Sequence, residues 1–101
     1  GMAHITGGGF PDNIPRVLPK GTRVVIDRSA WKVPAIFRFI QEKGKVDRDE
    51  MYRVFNMGIG MVLIVREKDV KKTLSILKAA HSQPAVVGYV AKGNRDVQLE
   101  N

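Results

Sequence analysis

The sequence predicts an α+β domain, a mixed or antiparallel sheet of about five strands covered by about four helices. Three observations predict it. Apolar runs of strand length, such as Thr22–Asp27 and residues 56–65, stand among segments of helical periodicity, of which residues 69–80 are the clearest. Pro and Gly punctuate the boundaries at short intervals, so connections are short and one domain suffices. No internal repeat or low-complexity tract interrupts the pattern. At 101 residues the chain can bury a modest core but is small for an enzyme with a closed active site.

The chain opens on Ala3-His4-Ile5-Thr6, short enough for a strand, which enters Gly7, Gly8 and Gly9. Pro11, Asp12 and Asn13 follow as a helix start. Pro15 would lack an interior hydrogen bond in a helix begun at Gly9, which puts the regular part from Asp12 or Asn13 to Leu18. Pro19, Lys20 and Gly21 end that helix. Thr22–Asp27 is β-branched and reads as a strand. Pro34 suits the first turn of a helix whose Ile36, Phe37, Phe39 and Ile40 recur at spacings of three and four as one apolar face, with Gly44 as its end.

Asp47 with Glu50 has the form of a helix cap with an acidic partner, ahead of Met51, Val54 and Phe55 at helical spacing. Residues 56–65 are nearly all apolar and predict a strand buried on both faces. Gly58 and Gly60 within it mark a bulge, a close approach by a ligand or another backbone, or tight packing against a helix. Residues 69–80 place Val70, Leu74 and Leu77 opposite Lys71, Lys72, Ser75 and Lys78, an amphipathic covering helix. Residues 85–91 read as a strand, Lys92-Gly93-Asn94-Arg95 as a tight turn, and residues 96–99 as a short edge strand.

Composition narrows the function classes. There is no cysteine, which excludes disulfides and cysteine-ligated metals and leaves a cytoplasmic setting unopposed. No apolar run approaches the roughly 18 residues that a membrane span requires. The net charge of +7, from 17 basic against 10 acidic residues, suits nucleic acid, acidic lipid or a phosphorylated ligand equally. The basic residues are scattered and aromatics are only 7%, which fits a solvated surface better than a nucleic-acid face.

Chemistry concentrates at the glycines. Without Cβ atoms, Gly7, Gly8 and Gly9 let main-chain N–H groups approach a phosphate, and the following helix start and Arg16 would add positive charge there. The spacing matches neither the phosphate loop nor the dinucleotide fingerprint, so a bare strand-to-helix turn is the competing reading. Thr6 offers a hydroxyl beside the loop. His4 is either a ligand-facing or a satisfied core histidine, and Asp12 and Asn13 either orient a ligand or cap the helix. His81 reads as a solvated residue at a helix end. No histidine pair has metal-ligand spacing, and no catalytic triad or carboxylate pair can be assembled.

The residues Ala3-His4-Ile5-Thr6-Gly7-Gly8-Gly9, Asn13-Ile14-Pro15-Arg16-Val17-Leu18-Pro19, Trp31, Val33-Pro34, Ile36-Phe37 and Phe55-Asn56-Met57-Gly58-Ile59-Gly60-Met61 closely resemble the carboxy-terminal part of the phosphoribosylformylglycinamidine cyclo-ligase (aminoimidazole ribonucleotide synthetase) family. The resemblance implies a step of purine synthesis. ATP and magnesium activate the formyl oxygen of formylglycinamidine ribonucleotide as a phosphate ester, an amidine nitrogen closes the imidazole ring, and phosphate leaves. It further implies a cytoplasmic homodimer with two domains per subunit, acting on a small phosphorylated substrate and not on nucleic acid or membrane.

On the same resemblance, residues 1–101 are a single partial domain, roughly a third of a family member, with the amino-terminal ATP-binding domain absent and no activity alone. His4, Thr6, Gly7, Gly8, Gly9, Asn13 and Arg16 would line the cleft and hold a phosphate, with Asn56, Gly58 and Gly60 close by. Two other readings stay open: a free-standing basic nucleic-acid-binding module, and a purely structural or interaction domain.

Overall fold

The computed structural model describes all 101 residues. Its elements run β1 (Met2–His4), α1 (Gly9–Asn13), β2 (Thr22–Asp27), α2 (Ala35–Gly44), α3 (Arg48–Val54), β3 (Met61–Leu63), α4 (Val70–Ala79), β4 (Gly88–Lys92) and β5 (Asp96–Glu100), with 3-10 turns at Pro15–Val17 and Glu67–Asp69. The α+β class and the five strands and four helices agree with the sequence. The single sheet does not. β1 and β3 form an antiparallel pair with Ala3 opposite Val62, while β2 centres a separate sheet, antiparallel to β4 and parallel to β5. β2 takes the centre because Val24, Val25 and Ile26 are all buried, so it is the strand that gains from cover on both faces.

The core gathers at one end of the molecule. Ile5, Phe10, Ile14, Ile26 and Met51 are fully enclosed where β1, α1, β2 and α3 meet. Trp31 stands edge-on to both Phe10 and Tyr52, with ring centroids 5.8 and 6.4 Å apart, the arrangement the aromatic quadrupole favours. Its indole N–H donates to the Met57 carbonyl at 3.0 Å and so ties the loop before β3 to the core.

Several boundaries and faces differ from the sequence reading, each for a local reason. α1 begins at Gly9, and Pro15 is accommodated because the helix stops at Asn13 and the chain tightens into a 3-10 turn. The strand predicted over residues 56–65 shrinks to Met61–Leu63, since Met57 (φ 53°) and Gly58 (φ 99°) turn the chain, and only Val62 is buried while Met61 lies open. Along α2, Phe37 and Ile40 face the core, whereas Ile36 and Phe39 point to solvent, because four residues at these spacings span too wide an arc for one contact. α2 does end at Gly44, and the left-handed residue that follows it is Lys45. Asp47 occupies the start of α3 without a side-chain capping bond, and Tyr52 joins Met51 in the core where Val54 was expected. Residues 85–87 precede β4 as a loop. The helix over α4 buries no residue.

The β2–β5 pairing sets Arg23 beside Asp96, and the guanidinium donates to both carboxylate oxygens, at 3.1 Å from Nε and 2.6 Å from a terminal nitrogen. These bonds hold the Asp96 carboxyl below its ordinary value and raise Arg23. A carboxyl whose pKa is depressed by folding stabilises the fold above its unfolded value and loses that contribution as pH falls through the folded one. Stability is therefore expected to decline as pH is lowered below about 3.8. Asp96→Asn should flatten that acid limb in thermal unfolding measured from neutral pH downward. Asp27, lowered by the Ser29 hydroxyl, and Glu50, lowered by Arg53, would retain their share of it.

Candidate phosphate-binding loop

Residues 6–9 carry the chain from β1 into α1. Gly8 (φ 94°) and Gly9 (φ 60°) adopt conformations that side-chain-bearing residues avoid, and both are closely hemmed. A Cβ on Gly9 would collide with the Tyr52 carbonyl oxygen and lie 2.9 Å from that of Phe55, so the loop rests directly on the end of α3. A Cβ on Gly8 would strike Asp12, whereas one on Gly7 would project into open space. Two of the three glycines are thus required by the fold, and Gly7 is not.

A buried side chain organises the loop. Asn13 Nδ2 donates to the Gly9 carbonyl at 2.7 Å and reaches those of Thr6 and Gly7 at 3.3 and 3.4 Å, and the Thr6 hydroxyl donates to Asn13 Oδ1 at 3.2 Å. The Gly9 amide closes the turn onto the Thr6 carbonyl at 3.0 Å. With the carbonyls drawn to Asn13, the amides of Gly7, Gly8 and Phe10 donate to no acceptor in the chain. Main-chain donors left free at one turn are the kind of group that can hold an anion.

The structure brings a second predicted segment against this loop. Ile5 donates to the Gly60 carbonyl at 2.9 Å, one rung beyond β1–β3, and Phe55 adjoins Gly9. Asn56 and Gly58 are engaged locally: Asn56 Oδ1 accepts the Gly58 amide at 2.9 Å, and Gly58 lies against the Pro34 ring. His4 is exposed at the end of β1, opposite Met61, and Arg16 is exposed on the 3-10 turn without an ion pair. Sequence reasoning missed two contributors. Phe10 was not singled out in the sequence, yet its amide is one of the unpaired donors, and Met57 gave no sign of a left-handed backbone beyond the Asn-x-Gly order around it. The dipole that the sequence assigned to the following helix is small, because α1 has only five residues.

Fold and loop together define an α+β module that presents a main-chain donor loop at the edge of its core. The chain belongs to the family described as AIR synthase related protein, C-terminal domain, which matches residues 1–99. It is 55% identical over 100 residues to a protein of Caldicellulosiruptor bescii named phosphoribosylformylglycinamidine cyclo-ligase, covering 99% of this chain and 29% of that relative. The chain therefore spans under a third of the length of the relative it matches. The family agrees with the resemblance carried by the Gly7–Gly9 and Asn56–Met61 segments. These comparisons lend no support to a nucleic-acid-binding module.

Proposed function

We propose that the chain is the carboxy-terminal part of a cyclo-ligase that converts formylglycinamidine ribonucleotide and ATP to aminoimidazole ribonucleotide, ADP and phosphate. The observation that carries this reading is the 55% identity running through 100 residues to a relative bearing the cyclo-ligase name. In it, the 101 residues form one partial domain, and the amino-terminal ATP-binding domain, the homodimer contacts and a cytoplasmic setting belong to the longer protein. The chain has no helix long and apolar enough to cross a membrane.

The amides of Gly7, Gly8 and Phe10 fit a phosphate, of the substrate or of ATP, and Asn13 and Thr6 position them. His4 and Gly60 flank the approach, and Arg16 supplies charge from the neighbouring turn. Asn56 and Gly58 shape the adjoining wall. ATP when bound supplies the phosphoryl group that makes the formyl oxygen a leaving group, and these residues hold and orient a phosphate beside it. No three His, Asp or Glu side chains converge in this chain. They form no protein-only cage for magnesium, an ion that is held through one or two carboxylates together with the nucleotide phosphates.

Gly7→Ala separates this role from a structural one. A methyl group at Gly7 meets nothing in the protein, so it intrudes only on a bound ligand. In a full-length enzyme carrying this chain, the variant is expected to raise KM for the phosphorylated substrate or for ATP roughly tenfold, about 1.4 kcal/mol of lost binding, with an unchanged melting temperature. Unaltered KM values for both would remove the loop from the phosphate site. The isolated chain is expected to form no product.

A further inference from the structure

Trp31 lies in the irregular stretch between β2 and α2, yet it touches three segments that frame the glycine loop. Its ring stands edge-on to Phe10, whose amide is one of the loop's free donors, and to Tyr52, whose carbonyl oxygen underlies Gly9. Its indole N–H donates to the carbonyl of Met57, in the turn that follows α3. The loop depends on such neighbours, because the elements it connects, β1 and α1, have only three and five residues.

The bond to Met57 restrains a backbone that would otherwise relax. Met57 is 3% exposed and left-handed at φ 53°, and a residue with a side chain stays in that region only where its surroundings over-determine it. Three contacts do so: the Trp31 N–H on the Met57 carbonyl at 3.0 Å, Asn56 Oδ1 on the Gly58 amide at 2.9 Å, and the Pro34 ring against Gly58. The turn held in this way meets the glycine loop at both ends. At its start the Phe55 carbonyl abuts Gly9, and at its close the Gly60 carbonyl accepts the amide of Ile5, one residue before Thr6. The main-chain amides of Asn56 and Met57, like those of Gly7 and Gly8, donate to no main-chain acceptor. Strained main chain beside free donors is where a protein invests rigidity in a binding site.

We propose that Trp31 is a positioning residue of the phosphate site: by holding Met57 left-handed it sets the spacing between the Gly7–Phe10 loop and the turn at residues 56–60, and so fixes how tightly an anionic group is held. This inference rests on the phosphate-binding reading of the loop.

The test uses the full-length C. bescii relative with its aligned segment replaced by this chain. Trp31→benzothienylalanine keeps the fused ring and its edge contacts but puts sulfur where the N–H was. It is expected to raise, by about fivefold, the same KM that Gly7→Ala raises, the worth of one neutral hydrogen bond, with kcat changed by less than about twofold. A merely structural tryptophan would lower the melting temperature and leave both KM values alone, and that result would overturn the proposal. Adding Met57→Gly supplies the rescue, because glycine adopts the left-handed turn without help from the indole. The double variant should recover the KM while its melting temperature falls further, through the lost packing of Met57. A KM that stays raised in a folded double variant would overturn the proposal as well. Gly7→Ala separates the two readings. If it raises a KM and the Trp31 variant does not, the positioning role alone fails; if it raises neither KM, the phosphate site fails and the positioning role with it.

Discussion

Replacing Gly9 by alanine is expected to lower the melting temperature of the domain by roughly 15 °C. Two effects combine there. The left-handed backbone at φ 60° disfavours any side chain by about 1–2 kcal/mol. The added methyl group would also collide with the Tyr52 carbonyl oxygen and press on that of Phe55. Neither oxygen is the tip of a flexible side chain, so relief requires α1 to lift from α3, where Phe10 and Met51 are wholly enclosed. A total near 3 kcal/mol follows, and each kcal/mol corresponds to about 4–8 °C in a domain of this size. Gly21→Ala calibrates the first effect alone, because Gly21 has φ 83° but nothing within 4 Å of the point where its methyl group would sit. Calorimetry in which Gly9→Ala and Gly21→Ala lose the same stability would show that close packing on α3 contributes nothing.

Asn13→Ala is expected to be the second severe change, at about 2–3 kcal/mol. Asn13 is 6% exposed, and its amide is the donor shared among the Thr6, Gly7 and Gly9 carbonyls. Removing it strips the Thr6, Gly7 and Gly9 carbonyls of their shared side-chain donor, and the loss of a buried polar partner costs about 1–3 kcal/mol before the lost packing is counted. Asn13→Asp gives a sharper signature. A charged carboxylate would face those carbonyl oxygens, so folding would raise its pKa, and the variant should be most stable at low pH and weaken as pH rises through the carboxylate range. Thermal unfolding across pH distinguishes this from simple cavity formation, which would shift every pH equally.

The positions of the elements were largely legible, because they depend on local pattern. The β-branched run at Thr22–Asp27 and the amphipathic α4 emerge nearly where they were expected. The glycine loop was legible as a candidate site because three glycines after a strand are an unusual demand on the backbone. Its internal design was not. Asn13 looks like a helix cap in the sequence, and only the folded loop shows its amide serving three carbonyls within the preceding turn. The division into two sheets was equally hidden, since periodicity reports which face of a strand is apolar and says nothing about which neighbour it pairs with. Residues 56–65 illustrate the limit: apolar composition predicted one long buried strand, but Asn56 accepts the Gly58 amide and bends the first half into a tight turn.

That bend has an optical consequence. Trp31 is the sole tryptophan, and its indole bridges the aromatic stack on α1 and α3 to the carbonyl of Met57. The polypeptide therefore carries a single indole fluorophore at the joint between its enclosed half and the segment leading to β3, so the colour of its tryptophan emission reports whether those two parts remain clasped.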